Sequence, residues 1–139
     1  MAHLSTKSEY AIKALVRLAL ADGDIPVQGR EISAFTGIPP KFLEQVMHAL
    51  RQGGFVTSQR GKGGGYILAR DPAATSFADV IDYVDGSRGG KGRMRGGDQA
   101  EPLVAPVWGA VRDCTRAILT AATIADAAAR ANAAPMYFI

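Results

Sequence analysis

The sequence predicts a mainly α chain with one small β-hairpin, completed by a long helix near its C-terminus. Three observations carry this prediction. Apolar residues recur at spacings of three and four in several segments, two β-prone runs flank one Gly-rich tip, and 139 residues suit one compact unit. Hydrophobic residues make up 47% and charged residues 21%, enough apolar material for a core and no basis for global disorder. No run approaches a membrane span and Met1 to Lys7 lacks an apolar signal core, so a cytoplasmic chain without membrane contact is expected.

Thr6 followed by Glu9 reads as a capping box opening a first helix over roughly 6 to 21, with Ala11, Ala14, Leu15, Leu18 and Ala19 on one face. Asp22-Gly23-Asp24 stops it, and Ile25-Pro26-Val27 reads as an extended link. Arg30 to Phe35 forms a short second helix with Ile32 and Phe35 on its apolar side, closed by Thr36-Gly37. Pro39-Pro40 opens a third helix whose inner stripe is Leu43, Val46, Met47 and Leu50, ended by Gly53-Gly54. Phe55 to Ser58 and Gly65 to Leu68 then pair as a hairpin around Gln59-Arg60-Gly61-Lys62-Gly63-Gly64. Thr75 or Ser76 caps a fourth helix through Phe77, Val80, Ile81 and Val84. Residues 86 to 97, with six glycines and four basic residues, read as a loop whose Arg88, Lys91, Arg93 and Arg95 are either solvated or add phosphate contacts. Beyond Pro102, helical spacing runs through Val104, Val107, Trp108, Val111, Thr115, Ile118, Ala122 and Ala125, a long helix that needs a partner. The expected division is 1–85 for the helices and hairpin, 86–102 for the loop, and 103–139 for the long helix and tail.

Charge is distributed unevenly. Residues 1 to 70 carry nine Lys/Arg against five Asp/Glu, whereas residues 71 to 139 carry seven against eight. Lys41, Arg51, Arg60, Lys62 and Arg70 face only Glu44 between positions 41 and 70, a segment that suits a polyanion partner, with a solvated basic face as the alternative that charge by itself does not decide against. Helix 3 turns Lys41, Glu44, Gln45, His48 and Gln52 away from its apolar stripe. A helix of this kind after a Gly turn is the recognition helix of a helix-turn-helix, because Lys and Gln can hydrogen bond base edges and Glu44 can accept from a cytosine amino group. The plainer alternative is an ordinary amphipathic surface helix.

The hairpin tip lets the backbone at Gly61 and Gly63 approach a phosphate while Arg60 and Lys62 neutralise it. It lacks P-loop spacing, and Tyr66 stands where G-x-G-x-x-G needs its last glycine. Together the segments predict a winged helix-turn-helix plus a long C-terminal helix. His3 and His48 stand at unrelated places, and no nucleophile–base or paired-carboxylate constellation assembles, so no catalysis is expected. The single cysteine, Cys114, excludes an internal disulfide and any multi-thiolate metal site. On the long helix it reads as a small buried hydrophobe, with a thiol switch as the alternative, and Trp108 reads as a core or interface aromatic.

Ser5-Thr6-Lys7 with Tyr10-Ala11, the run Ile38 to Val46, and above all Arg60-Gly61-Lys62-Gly63-Gly64-Gly65-Tyr66-Ile67-Leu68-Ala69-Arg70 resemble the IscR/NsrR family of winged-helix transcription regulators. The likeness covers residues 4 to about 86, and more loosely Trp108 and the long helix. It implies a homodimer on a palindromic operator in double-stranded DNA, and the chain as a whole is read as a sequence-specific transcription regulator acting as a repressor. It matches Lys41, Glu44 and Gln45 to base-reading positions, Arg60 to the wing residue that enters the minor groove, and Lys7 and Tyr10 to phosphate contacts. It also implies that the long helix, through Val104, Val107, Trp108, Val111 and Ile118, forms the dimer interface. Members that carry an iron-sulfur cluster place three cysteines in the loop before that helix, whereas Asp85 to Pro106 holds no Cys and no His. No cofactor is therefore expected, and the chain resembles the cluster-free members. The effector is left open between a small molecule, a partner protein and none. A winged-helix protein-interaction module and a thiol-sensing regulator using Cys114 stand as rival readings.

Overall fold

The computed structural model describes residues 4–21, 24–86 and 97–133. The elements follow in the order α1 (Thr6–Ala19), α2 (Gly29–Thr36), α3 (Pro40–Gln52), β1 (Val56–Gln59), β2 (Gly65–Leu68), α4 (Phe77–Asp85), α5 (Glu101–Ala121) and α6 (Ile124–Ala133), with one 3-10 turn at Pro72–Ala74. No helix among the described residues is long and apolar enough to cross a membrane.

The core is built around α1. Ala11 and Ala14 are fully buried beside Leu15 and Leu18, and α2, α3, β2, α4 and α6 all pack on this helix. The alanines let neighbours approach closely, while each buried leucine contributes about 1.5–3 kcal/mol relative to exposure. The cap differs from the expected one. Ser5, not Thr6, is the N-cap: its hydroxyl accepts from the Ser8 amide at 3.0 Å, and Glu9 pairs with Lys13 at 3.2 Å instead of closing a box. Ser5 and the buried Ser8 donate their hydroxyls to the Asp85 carboxylate at 2.5 and 2.7 Å, tying the start of α1 to the end of α4. The helix ends at Ala19 rather than 21, and Asp22-Gly23 lies outside the described residues.

Gln28 and Glu31 form the capping box that starts α2. Its Ile32 is buried, but Phe35, expected on the apolar side, is 58% exposed and lies under the Arg17 guanidinium at 5.6 Å. In α3 the predicted stripe of Leu43, Val46, Met47 and Leu50 is buried, and Pro40 occupies the first turn where its missing N–H costs nothing. The hairpin pairs Val56 with Leu68 through Gln59 with Gly65. Phe55 precedes the strand instead of opening it. It is drawn into the core, with its N–H on the Leu50 carbonyl and its carbonyl on the Ala69 N–H, each at 2.9 Å. Val27 joins from the other side, exchanging two hydrogen bonds with Tyr66 at 3.0 and 2.9 Å. Gly65 makes that approach possible, since a Cβ there would stand 2.4 Å from the Val27 carbonyl oxygen.

The C-terminal region differs most from the expectation. The single helix expected through Ala125 ends at Ala121, where Ala122 turns extended at φ −82 and ψ 124. Thr123 and Asp126 then cap α6 reciprocally at 3.1 and 3.2 Å. The turn is pinned to the start of α4, with Phe77 N–H on the Ala122 carbonyl at 2.9 Å and Ile124 N–H on the Thr75 carbonyl at 3.0 Å. Ile124 and Ala128 are buried and α6 packs on α1, so this part of the expected tail completes the core of the N-terminal helices. α5 begins at Glu101, inside the stretch read as a loop, while Arg88, Lys91, Arg93 and Arg95 lie outside the described residues. α5 itself has no buried residue. It rests on α4, where Arg116 meets Asp82 at 2.7 Å, and that hydrogen bond and charge hold the guanidinium above its ordinary pKa.

Because Ile124 is 1% exposed, Ile124→Ala should cost about 2–5 kcal/mol in a urea unfolding curve. A loss below about 0.5 kcal/mol, the scale of a surface substitution, would show that α6 is an appendage rather than part of the core.

Candidate nucleic-acid interface

Burial of one stripe of α3 fixes what its other side presents. Lys41, Glu44, Gln45, His48 and Gln52 are all exposed, as the spacing predicts. Phe42 joins them at 51% exposure, an apolar group of the kind that meets a thymine methyl. At the wing tip Arg60 and Lys62 are exposed, and Gly61 and Gly63 hold φ of 103 and 76, a left-handed backbone that side chains resist. Lys7 is exposed in the first turn of α1, whereas Tyr10 is half-buried and packs its ring on the core.

Helix and wing are joined at their base. Arg51 donates to the Ser58 hydroxyl at 3.3 Å, and Phe55 fills the junction. A groove of about 180 Å³ is lined by Leu43, Glu44 and Met47 of α3, by Arg30 at the start of α2 and by Tyr66 of β2. Glu44 therefore lines the space where α2, α3 and β2 meet. Arg30 is the cation that sequence reasoning passed over, although the Gln28/Glu31 box that fixes it in the first turn of α2 was legible. Among the described residues two ion pairs form, Glu9 with Lys13 and Asp82 with Arg116. Neither uses Arg30, Lys41, Arg60 or Lys62, whose charge is left to attract an external anion.

The apolar residues of α5 face solvent. Leu103, Val104, Val107, Trp108, Val111 and Ile118 range from 39% to 80% exposed, so Trp108 is no core aromatic of this chain. Cys114 is exposed too, contrary to its expected burial, because α5 leans on α4 along one side only.

The profile of a family described as "Rrf2: Iron-dependent Transcriptional regulator" matches residues 4–130. The chain belongs to the Rrf2 family. The HTH-type transcriptional regulator IscR of Escherichia coli is 35% identical over 128 residues, 88% of this chain and 78% of that protein. Two solved structures share the fold at a TM-score of 0.79. IscR of T. potens is 34% identical, covering 96% of this chain and 91% of its own. CymR of B. subtilis, described as a global cysteine regulator, is 29% identical, covering 94% and 98%. The resemblance carried by the α1, α3 and wing motifs is thereby borne out: this Rrf2 protein is a DNA-binding transcription regulator with a winged helix, and its family points away from catalysis.

The iron in the family's description finds no matching donor set here. A cluster of the usual kind needs several thiolates or imidazoles. This Rrf2 chain has one cysteine, exposed on α5, and neither Cys nor His between Asp85 and Pro106. No group of three metal-binding side chains forms among the described residues. The residues present do not fit a thiolate-held cluster.

Lys62→Ala should weaken binding to specific and random duplexes alike and lower the salt slope of log K by about one, read by fluorescence anisotropy across a salt series. An unchanged slope would place the wing tip away from the phosphates.

Proposed function

We propose that this Rrf2 protein is a sequence-specific repressor that binds a palindromic operator as a homodimer in the cytoplasm, without an iron-sulfur cluster. The observation that carries the reading is the exposure of the polar stripe of α3 beside a cationic wing tip, on a fold shared with IscR. In this reading Lys41 and Gln45 donate to base edges, and Glu44 accepts from a cytosine amino group. Arg60 enters the minor groove, Lys62 and the Gly61 and Gly63 backbone meet a phosphate, and Lys7 and Tyr10 fix the register on the strand.

Val104, Val107, Trp108, Val111 and Ile118 form the self-complementary interface, since a contiguous apolar stripe left in water marks a contact surface. Two recognition helices then occupy successive major grooves, with half-sites about 10 base pairs apart. The residues present do not fit a cluster, which leaves a small molecule, a partner protein or no effector as the options for its control.

Selection of genomic fragments by the purified protein at near-physiological salt tests the reading. A shared palindrome is expected, and Lys41→Ala or Gln45→Ala should each lose about 1–3 kcal/mol on it while binding random DNA as before. Retention without a common sequence, or equal losses on both kinds of DNA, would remove base reading from α3. In sedimentation the wild type should run as a dimer and Ile118→Asp as a folded monomer. A dimeric Ile118→Asp would move the interface off this stripe.

A further inference from the structure

Three neighbouring side chains of α4 reach three different elements. Asp82 accepts from Arg116 of α5 at 2.7 Å, and Asp85 accepts from Ser5 and Ser8 at the start of α1. Between them Tyr83 lies against the end of α3. A Cβ built on Gly53, the C-cap of α3, would stand 2.6 Å from Tyr83 Cε1 and 2.7 Å from its Cζ, so the ring rests directly on the helix terminus. The same ring meets Phe55 edge-on, with centroids 5.6 Å apart and planes at 60°. Phe55 is 2% exposed at the root of the wing. Arg70, just beyond β2, closes the cluster: its guanidinium lies 4.1 Å from the Phe55 ring and donates to the Gly53 carbonyl at 2.8 Å.

Tyr83 is 44% exposed, so its ring is not filling the core. It sits instead where α4, the recognition helix and the wing meet, one residue from the group that grips α5. In a two-fold dimer α5 fixes the symmetry axis, and a tilt of α3 relative to α5 appears at both half-sites. The separation of the two recognition helices therefore depends on the joint between α4 and the end of α3.

We propose that Tyr83 is a positioning residue: it holds the angle of the recognition helix and wing on α4, and so sets the half-site spacing that the dimer accepts. This rests on the homodimer and operator reading above. Loss of the ring removes a brace between α4 and the C-terminal end of α3, so the tilt of that end is held less tightly while its buried stripe still rests on α1. Lys41, Glu44 and Gln45 lie at the opposite end of the helix, so base reading within one half-site is untouched while the distance between half-sites is no longer fixed.

The test compares full-length wild type, Tyr83→Phe, Tyr83→Leu and Gly53→Ala by anisotropy on the selected palindrome, on versions with the spacer one base pair shorter or longer, and on a single half-site. Wild type and Tyr83→Phe should favour the native spacer equally. Tyr83→Leu should lose that preference by about threefold or more while binding the half-site as wild type does. Gly53→Ala, whose new methyl displaces the ring, should flatten the preference too, and should add little in the Tyr83→Leu background. A folded Tyr83→Leu or Gly53→Ala protein with the wild-type spacing ratio overturns the proposal, as do additive effects of the two changes. Failure of the wild type to bind any palindrome overturns the operator reading instead, and the role of Tyr83 with it.

Discussion

The apolar face of α1 sets the position of everything else. Ala11 and Ala14 present so little bulk that α3 and α6 can lie close against the same helix, and Leu15 and Leu18 fill what remains. Because α2, α3, β2 and α4 share this one support, their outer surfaces hold a fixed relation to one another. The chain also closes on itself here, since α6 returns from the C-terminal side to cover the first helix. Removing any one of these elements would leave part of the α1 face in water, which makes the winged domain and α6 a single cooperative unit.

Elements with strong apolar spacing were legible in the sequence: α1, α3 and the hairpin stand close to where their patterns put them. Where the reading departs from the structure, a distant residue decides. Ser5 and Thr6 are both good caps, and Asp85, far along the chain, selects Ser5 by accepting its hydroxyl. Phe55 is β-prone, yet the core takes it and the strand starts one residue later. The Ala-rich spacing after Ile118 runs on without a visible break, and the Thr123-x-x-Asp126 box was the signal that α5 stops. The candidate site was legible as residue types on one face of α3. The place of Arg30 on the groove that Glu44 also lines, and of Tyr83 on Gly53, arises from packing between segments that no local pattern relates.

Kinship with IscR sharpens one contrast. The scaffold is shared, but this chain has neither Cys nor His between Asp85 and Pro106 to hold an iron-sulfur cluster. Both sides of that stretch are nonetheless tied to the winged domain, at Asp85 through two serines of α1 and at Arg116 through Asp82.

The bridge between Val27 and Tyr66 gives the wing a character that an isolated hairpin lacks. Two-stranded hairpins are marginal in water and would have to be ordered at the moment of docking. Here two hydrogen bonds outside the hairpin, together with the buried Phe55, restrain its base before any DNA arrives. In the proposed complex, the entropy of ordering on contact would then fall on the few residues around Gly61 and Gly63, and the surface would dock as a pre-organised body. For such a body, differences between DNA sequences are expressed in how long the complex lasts more than in how fast it forms.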